Sequence, residues 1–411
     1  MVILPSINES LDTILLSCSN FTKDFIKQRL EQYDLDIYCF IDKHRFKLIS
    51  KRERTLLTSY GIIKYKRRYY YDNLEDNYIY LLDNQLGIPS NVRMSNELIL
   101  KILDLASIMT YREVGQHLSN EFELSKFTIW KTIKDTIVEV AYSNNIDRNG
   151  LKVHLQIDEK FIGMVDSKNK KRYYTATIFA GKKNHQLLNK TVLSSADLTK
   201  LKERINYHLL KRYKVTTDEE IFISGDFAGY IQNLENYIVV CKSRYVPDKY
   251  HVYKTIRDFL PDVYVDDYSL NQEQFLKYLS KELLKASDNY EETRKIRSLI
   301  KRNPKCFEPY LSKEYLGCSQ EGQNSHIYAP RFGKYANRFS KETIEKLSLI
   351  REARAMSFNV KIASINRNVQ EKVDIGVVEY DFSKPLREYL DTSGMKYATK
   401  QIFDALRDGR H

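Results

Sequence analysis

The sequence predicts an α/β domain that follows a mostly helical region with a small β-hairpin, and three patterns carry this prediction. After residue 150, short apolar runs rich in β-branched and aromatic residues alternate with segments of helical periodicity. Between residues 62 and 71, the side chains alternate with a period of two, as in a strand. Between residues 98 and 137, apolar residues recur at a spacing of three or four, as on a helix face.

Changes in these patterns predict domain boundaries near residues 50, 147 and 357. Residues 1–50 form an N-terminal helical segment, and residues 51–147 hold the hairpin and a set of helices. Residues 148–357 form the α/β domain, with a charged helical insertion at about 260–312. Residues 358–411 form a C-terminal tail in which we identify no chemistry.

The composition favours a polyanionic partner. Lys and Arg number 66 against 54 Asp and Glu, which gives a net charge of +12, and the chain has 31 Tyr. Basic charge with many aromatic side chains suits a ligand that offers both phosphates and stackable bases. An ordinary lysine-rich surface is the alternative interpretation.

Cysteine usage and hydropathy restrict the class of protein. The five cysteines form no CxxC pair and no even framework, which argues against a zinc ribbon or a disulfide scaffold. No apolar run approaches the roughly 20 residues that span a bilayer. We therefore expect a soluble protein of a reducing cytoplasm.

A basic hairpin is predicted after a set of short N-terminal helices, of which residues 20–33 are the clearest. The strand at residues 63–71 would pair with residues 78–82 across a turn at 72–77. Lysines and arginines interleave with tyrosines on this strand, an arrangement suited to a nucleic-acid backbone. The basic residues are Lys64, Lys66, Arg67 and Arg68. A solvated strand face is the alternative.

A helix-turn-helix is predicted next. Thr110 and Glu113 have the spacing of a capping box, in which each side chain satisfies a backbone amide of the other's residue. A later helix, with Ile129, Ile133 and Ile137 on its apolar face, would present polar residues to a DNA groove. These are Lys126, Thr128, Lys131 and Lys134. Any helical hairpin gives a similar pattern, so the motif alone is weak.

The element order beyond residue 150 is that of an RNase H-like core. Strands are predicted at residues 151–165, 171–181 and 187–194, followed by a helix at about 196–213. A strand ending at Asp226, a strand at 237–245 and a helix from 248 to about 259 complete the order.

Three carboxylates lie where an α/β sheet collects catalytic groups. Asp226 ends an apolar strand between Gly225 and Gly229, and Asp158 lies inside another apolar strand, where an unpaired charge is costly. Glu321 precedes a helical segment. Carboxylates from two strands and a helix are able to hold two divalent cations about 4 Å apart, and all-oxygen ligation favours Mg²⁺ or Mn²⁺.

Two simpler interpretations of these acids stay open. Asp226 would serve equally as a cap of the following turn. Other acids compete as ligands, namely Glu159, Asp166, Glu235 and Glu314.

Four motifs together resemble the catalytic signature of Mutator-like bacterial insertion-sequence transposases, in the branch formerly catalogued as an uncharacterised protein family. They are Leu-Gln-Ile-Asp158-Glu-Lys, Ser-Gly-Asp226-Phe-Ala-Gly-Tyr-Ile, Asp248-Lys-Tyr-His251 and Gly-Cys-Ser-Gln-Glu321-Gly. The resemblance covers roughly residues 52–357, and segments 58–61, 80–87 and 110–113 match the N-terminal pattern of the family. Phe227 stands where that family commonly has Gly, and Tyr230 where it usually has Trp.

The resemblance implies a DDE transposase with an RNase H-like catalytic core, a helical insertion and an N-terminal DNA-binding region. Asp158, Asp226 and Glu321 would be its three acids, and Asp248 and His251 its following D-x-x-H pair. It further implies binding to terminal inverted repeats and target DNA, an assembly of at least two subunits, and a nucleoid location when bound. The alternatives are an RNase H-like nuclease and an inactive DNA-binding regulator.

Overall fold

The structure, a computed structural model, describes residues 11–88, 92–118, 121–142, 146–184, 186–259, 281, 291–333 and 338–365. It is a mixed α/β protein with two compact units. The described residues up to 95 form the N-terminal unit, and those from 96 to 365 form the core unit. Among the described residues, no helix has the length and hydropathy needed to cross a membrane.

The N-terminal unit pairs one long helix with a three-stranded antiparallel sheet. Helix α1 (Leu11–Phe40) is followed by β1 (Phe46–Thr58), β2 (Gly61–Asp72), β3 (Asn77–Ile79) and the short α2 (Leu81–Gln85). The predicted turn before β3 is confirmed, but β2 pairs mainly with β1. The boundary at residue 50 therefore cuts a strand, whose exposed Lys and Arg residues obscure its alternation.

Helix α1 covers the open edge of β2. The backbone N–H of Lys66 donates to Glu31 Oε1 over 2.9 Å, and that of Arg68 donates to Asp34 Oδ1 over 2.9 Å. Two side chains of the helix thus satisfy strand amides that no neighbouring strand reaches. Such cover protects an edge from pairing with another chain.

The core unit opens with three helices: α3 (Asn96–Ala106), α4 (Tyr111–His117) and α5 (Lys126–Asp135). The capping box at Thr110 and Glu113 is confirmed, and Ser125 caps α5. Gly115 allows α4 to approach the chain before α5, because a Cβ there would lie 2.1 Å from the Leu124 carbonyl oxygen. The helix ends earlier than predicted. Ile137 lies in strand β4 (Thr136–Val140) and is exposed.

A five-stranded sheet forms the centre of the core unit, in the order β11-β10-β5-β6-β9. Its strands are β5 (Val153–Gly163), β6 (Lys170–Ala180), β9 (Thr191–Ser195), β10 (Glu220–Gly225) and β11 (Lys242–Pro247). The first three are antiparallel, whereas β10 and β11 run parallel to β5. Helix α6 (Leu198–Lys211) packs its apolar face on the sheet. Between β6 and β9 lies a small hairpin of β7 (Lys182–Lys183) and β8 (Gln186–Leu187).

Two strand predictions shift by several residues. The strand predicted at 187–194 begins at Thr191, and the one predicted at 237–245 begins at Lys242. Before β11 the chain forms α7 (Gly229–Gln232) and a 3-10 helix, Asn233–Tyr237. The side chain of Asn206 bonds the backbone of Tyr237 and Val239 there, which keeps these two residues out of the sheet.

The core unit closes with helices and a returning strand. Helix α8 (Lys249–Phe259) leads to residues 260–280 and 282–290 of the predicted insertion, which lie outside the described residues. The rest of the insertion holds α9 (Glu291–Arg302) and the 3-10 helix Pro304–Leu311. A helical stretch then runs from α10 (Gln320–Gln323) through a π-helical turn, Asn324–Tyr328, to α11 (Ala329–Phe332).

Helix α12 (Lys341–Ala355) and β12 (Val360–Ile365) end the described chain. Strand β12 pairs with β4, so it belongs to the core unit although we assigned residues 358–411 to a tail. Buried arginines bond the last carbonyls of α3: Arg331 Nε donates to Ala106 O over 2.8 Å, and Arg351 Nη1 donates to Ser107 O over 2.5 Å. These bonds attach the three-helix segment to the end of the unit.

Candidate active site

Strand register brings Asp158 and Asp226 together. The parallel pairing of β5 with β10 ends with Gln156 opposite Ser224, so two residues later Asp158 is level with Asp226. Gly225 permits the close approach, since a Cβ there would lie 2.6 Å from the Ile157 carbonyl oxygen. Neither acid is fully buried.

Each of the two acids accepts local hydrogen bonds. Asp158 Oδ1 accepts from the Glu159 N–H over 2.7 Å, and its Oδ2 accepts from Asn324 Nδ2 over 2.7 Å. Asp226 Oδ1 accepts from the Ala228 N–H over 2.9 Å. The turn-capping contact that we considered for Asp226 therefore exists, and it involves one carboxylate oxygen.

Asp248 and His251 lie beside the acid pair. Asp248 follows β11 as Asp226 follows β10, and the Asp248 N–H donates to Gly225 O over 2.8 Å. Asp248 also caps α8, accepting from the Tyr250 N–H over 3.1 Å. Its Oδ2 lies 3.7 Å from His251 Nε2. The imidazole is 38% exposed, so a ligand over the strand ends has access to it.

The helical stretch that begins at α10 is bound to β5 and β6 by side-chain amides. Gln156 accepts from the Ser319 N–H over 3.0 Å and donates to Gly317 O over 2.8 Å. Gln320 Nε2 donates to Thr175 Oγ1 over 3.1 Å, and Asn324 reaches Asp158. These bonds hold the start of the helix, with the exposed Glu321, at the sheet.

The pKa shifts show that the carboxylates in this region influence one another electrostatically. Burial raises the pKa of Asp158, and the Asp226 charge raises it further, whereas the bonds from Glu159 and Asn324 lower it. Burial also raises the pKa of Asp248, as do the charges of Glu321 and Asp226, while the Tyr250 amide and His251 lower it. All three predicted acids therefore act on this region.

The same carboxylate charges raise the pKa values of one tyrosine and one cysteine nearby. Burial, Glu159, Asp226 and Asp158 raise the pKa of Tyr230, which keeps its hydroxyl protonated. Burial raises the pKa of the Cys318 thiol, with the charges of Asp248, Asp158 and Asp226 adding to it.

The acids are neighbours without forming a preassembled metal site. Within the described ranges, no three His, Cys, Asp or Glu side chains are arranged closely enough to hold an ion. Of the competing acids, Asp166 pairs with Lys171 and Glu314 with Lys152. Glu235 accepts from the Tyr245 N–H, and Glu159 lies 3.4 Å from Arg172.

Residues that sequence reasoning missed are mostly amides. Gln156 and Asn324 bind the third-acid segment to the first acid's strand, and neither belongs to a motif with recognisable chemistry. Tyr230 and Glu159 were visible as neighbours of the acids, but their contact with one another depends on tertiary structure. Tyr230 Oη and Glu159 Oε2 are both buried, and the Glu159 carboxylate helps to raise the pKa of Tyr230.

The predicted nucleic-acid residues of the hairpin divide into two classes. Lys64 and Lys66 are exposed. Arg67 is buried in an ion pair with Asp83, and Arg68 Nη1 lies 2.6 Å from Asp34 Oδ2 in another buried pair. The structure thus places both guanidinium groups inside the N-terminal unit, away from a solvent-facing role. In α5, Lys126 and Lys131 are exposed, while Thr128 takes part in the N-cap at Ser125.

Comparisons with known proteins place this site in a family context. The model of a family described as "Uncharacterised protein family (UPF0236)" matches residues 5–370. UPF0236 protein TTE2489 of Caldanaerobacter subterraneus subsp. tengcongensis is 27% identical over 327 residues, which are 75% of this chain and 70% of the relative. UPF0236 protein TTE1650/TTE2708 of the same bacterium is 27% identical over 328 residues, 75% of this chain and 65% of the relative.

Relatives of this kind are numerous in that bacterium. The name of one further relative, 27% identical over 330 residues, joins eleven locus labels. Another, 27% identical over 328 residues, joins four.

Proposed function

Given that the chain belongs to the uncharacterised family UPF0236, we propose that it is the DNA transposase of an insertion sequence. It would bind terminal inverted repeats, cleave at them and join the ends to a target through a DDE triad. Asp158, Asp226 and Glu321 are the proposed acids. Phosphoryl transfer requires electrostatic stabilisation of the transition state and exact positioning of the phosphodiester. Carboxylates at strand ends would contribute to both by holding cations.

One observation carries the proposal: the pairing register that sets Asp158 level with Asp226 while Asn324 ties the Glu321 segment to Asp158. Acids that are far apart in the sequence thereby share one edge of the sheet. A structural role for any single acid would not require the other two nearby.

The sheet topology supports an RNase H-like core as part of this proposal. Three antiparallel strands are followed by two strands parallel to the first, and the first strand lies in the middle. This is the element order that the sequence predicted for such a core.

The number of related gene copies in one bacterium supports the proposal independently of the geometry. The names of relatives join up to eleven locus labels in one bacterium. A gene that moves itself to new sites accumulates copies, whereas a housekeeping nuclease or a single regulator does not need them.

The three proposed ligands are all carboxylates, which suit a hard divalent cation, although the described side chains do not form a preassembled site. Burial raises the pKa values of Asp158 and Asp248, and the charges of neighbouring carboxylates raise them further, so a bound cation would offset an electrostatic cost. Asp158, Asp226 and Glu321 would hold Mg²⁺ or Mn²⁺, in the proposed active form two ions. When bound, the ions would supply activation of the attacking hydroxyl and stabilisation of the leaving oxygen.

The chain's own residues would bind and orient the DNA. His251 is 38% exposed beside Asp248 and is proposed to contact the scissile phosphate. Gln156 and Asn324 hold the helical segment, and exposed lysines of the hairpin and of α5 contact the backbone phosphates. The acids, in the absence of a Ser or Tyr nucleophile signature, favour transfer without a covalent protein–DNA intermediate.

A second candidate is a DNA-binding regulator with a relic core. The lack of a preassembled triad among the described residues favours it. An RNase H-like nuclease is a further alternative from the same acids, and it would cut DNA without joining ends.

The test is cleavage and joining of DNA from the element's own ends in Mg²⁺ or Mn²⁺, with Asp226→Asn as the variant. Asp218→Asn is a matched control, because Asp218 is 94% exposed before the opposite end of the same strand, β10. We expect joining that Asp226→Asn abolishes and Asp218→Asn retains, with DNA binding unchanged. Binding without cutting or joining would favour the regulator, and cutting without joining the nuclease.

A further inference from the structure

Helix α5 carries an aromatic pair between its lysines, of which Phe127 is exposed and Trp130 is half-buried. Phe127 is 63% exposed, and its ring centroid lies 5.5 Å from that of Trp130. Lys134 Nζ lies 5.4 Å from the centroid of the Trp130 ring. A large apolar side chain that is mostly exposed on a helix whose other face is buried indicates a contact surface.

The opposite face of α5 is held rigidly. Ile129, Thr132 and Ile133 are buried, and Ser125 caps the first turn. At the other end, Lys346 of α12 donates to the Ile133 carbonyl over 3.3 Å. A partner would therefore meet a preorganised helix face, with little conformational entropy to lose.

Charge identifies the class of partner. Residues 126–134 contain three lysines and no acidic residue, and Lys126 and Lys131 flank the aromatic pair in the sequence. Lysines favour phosphates, whereas Phe and Trp offer apolar contact to bases and to the thymine methyl group.

We propose that α5 lies in a groove of duplex DNA with Phe127 and Trp130 against base edges and Lys126 and Lys131 on phosphates. This inference rests on the proposed function, and it makes α5 the element that recognises the sequence of the transposon end. The aromatic pair would contribute sequence preference, whereas the lysines would contribute affinity for any sequence.

The chain offers its own reporter, because Trp130 is its only tryptophan. The full chain is titrated with a labelled duplex copied from the DNA that borders its coding sequence, with a scrambled duplex of equal composition, and with heparin. Label anisotropy measures duplex binding, competition with the labelled duplex measures heparin binding, and tryptophan emission reports the α5 surface. We expect Trp130 emission to change in step with binding of the bordering duplex, and to change less at heparin saturation, since heparin has no bases.

Variants separate the two kinds of contact. Phe127→Ala should weaken binding of the bordering duplex about tenfold, and that of the scrambled duplex less. Lys131→Ala should weaken both duplexes alike and reduce the slope of log affinity against log salt by about 1. Tyr207→Ala is the matched control, an aromatic residue 56% exposed on α6, and should change neither duplex.

Specific results overturn the inference. Three outcomes would each show that α5 does not contact the bases. They are unchanged Trp130 emission when the anisotropy has saturated, a Phe127→Ala variant that behaves like Tyr207→Ala, and an equal emission change with heparin. The proposed function would survive any of these, because another surface would bind the DNA. If no duplex binds, both the inference and the proposed function fail.

Discussion

Asn324 Nδ2 donates to Asp158 Oδ2 over 2.7 Å, joining a π-helical turn near the third proposed acid to the strand of the first. A hydrogen bond to a charged group contributes about 1.5–3 kcal/mol. Isolated π-helical turns inside helices frequently mark functional sites. Asn324 is therefore expected to position the Glu321 segment against β5.

Replacing Asn324 tests this coupling. Asn324→Ala should lower the unfolding midpoint by several degrees, about 2–4 °C per kcal/mol, and should reduce DNA joining more than DNA binding. Gln323→Ala, one residue earlier in the same helical stretch, is the control and should change neither. Thermal denaturation and a strand-transfer assay measure the two effects. Normal joining by Asn324→Ala would show that the bond has no positioning role.

Cation binding should appear as stability. Mn²⁺ at one hundred times its dissociation constant is expected to stabilise the protein by about 2.7 kcal/mol. Without the ion, Asp226→Asn should melt higher than the unaltered protein, because its charge raises the pKa of Asp158 and Asp248. The same substitution should abolish the stabilisation by Mn²⁺. Calorimetry measures the melting temperature of both proteins with and without Mn²⁺. If Mn²⁺ stabilises the Asp226→Asn variant as much as the unaltered protein, Asp226 is not a ligand.

Stability should also depend on pH through Asp158. Its folded pKa is raised by burial, so the folded state binds this proton more tightly than the unfolded chain does. The resulting loss of folding stability is absent below about pH 4 and grows as pH rises through the pKa of Asp158 in the folded state. The melting advantage of Asp158→Asn over the unaltered protein should therefore increase from pH 4 to pH 7 in a chelating buffer.

Comparison with the variant at each pH is necessary. Glu219 has a pKa lowered by Arg148, so it contributes stability that is lost on acidification and masks the effect of Asp158 in the unaltered protein alone. A pH-independent difference between the two proteins would contradict the prediction.

A pair of glycines tests the approach of β10 to β5. A Cβ on Gly225 would lie 2.6 Å from the Ile157 carbonyl oxygen, whereas nothing lies within 4 Å of a Cβ on Gly229. Gly225→Ala should cost about 1–3 kcal/mol by forcing the strands apart, and should reduce DNA joining. Gly229→Ala should be close to neutral. Denaturant titration and strand transfer measure both, and equal effects would refute the steric argument.

The hairpin's basic residues should separate into structural and binding groups. Arg68→Ala breaks a buried ion pair with Asp34 and should cost about 3–5 kcal/mol of stability. Lys66→Ala removes an exposed charge and should leave stability unchanged while reducing the salt dependence of DNA binding by about 1 in slope. If Lys66→Ala binds DNA with an unchanged slope, the hairpin does not contact phosphates.

Local patterns predicted local structure well. The capping box at Thr110 and the strand ending before Asp226 depend on neighbouring residues, so the sequence revealed both. Strand β1 was missed because Lys47, Lys51 and Arg52 interrupt its alternation. Its pairing with β2 is a tertiary property.

The acids of the candidate site were visible in the sequence, whereas the side chains that hold the surrounding segments were not. A carboxylate in an apolar run is conspicuous, and Asp158 and Asp226 were found that way. The amides of Gln156 and Asn324 carry no such signal, because their importance arises from the register of β5 and the docking of a distant helix. Arg68 illustrates the reverse error, since a basic residue on a strand does not reveal that Asp34 of α1 will bury it.

The pairing of β12 with β4 has a consequence for biogenesis. Val360 pairs with Val140, so the ladder closes a loop that contains the five-stranded sheet and most of the core unit. Such long-range pairing forms slowly and only after the ribosome has released the returning strand. Until then β4, which continues directly from α5, has an open edge that another chain is able to occupy. Products truncated before residue 360 should therefore aggregate or exchange strands.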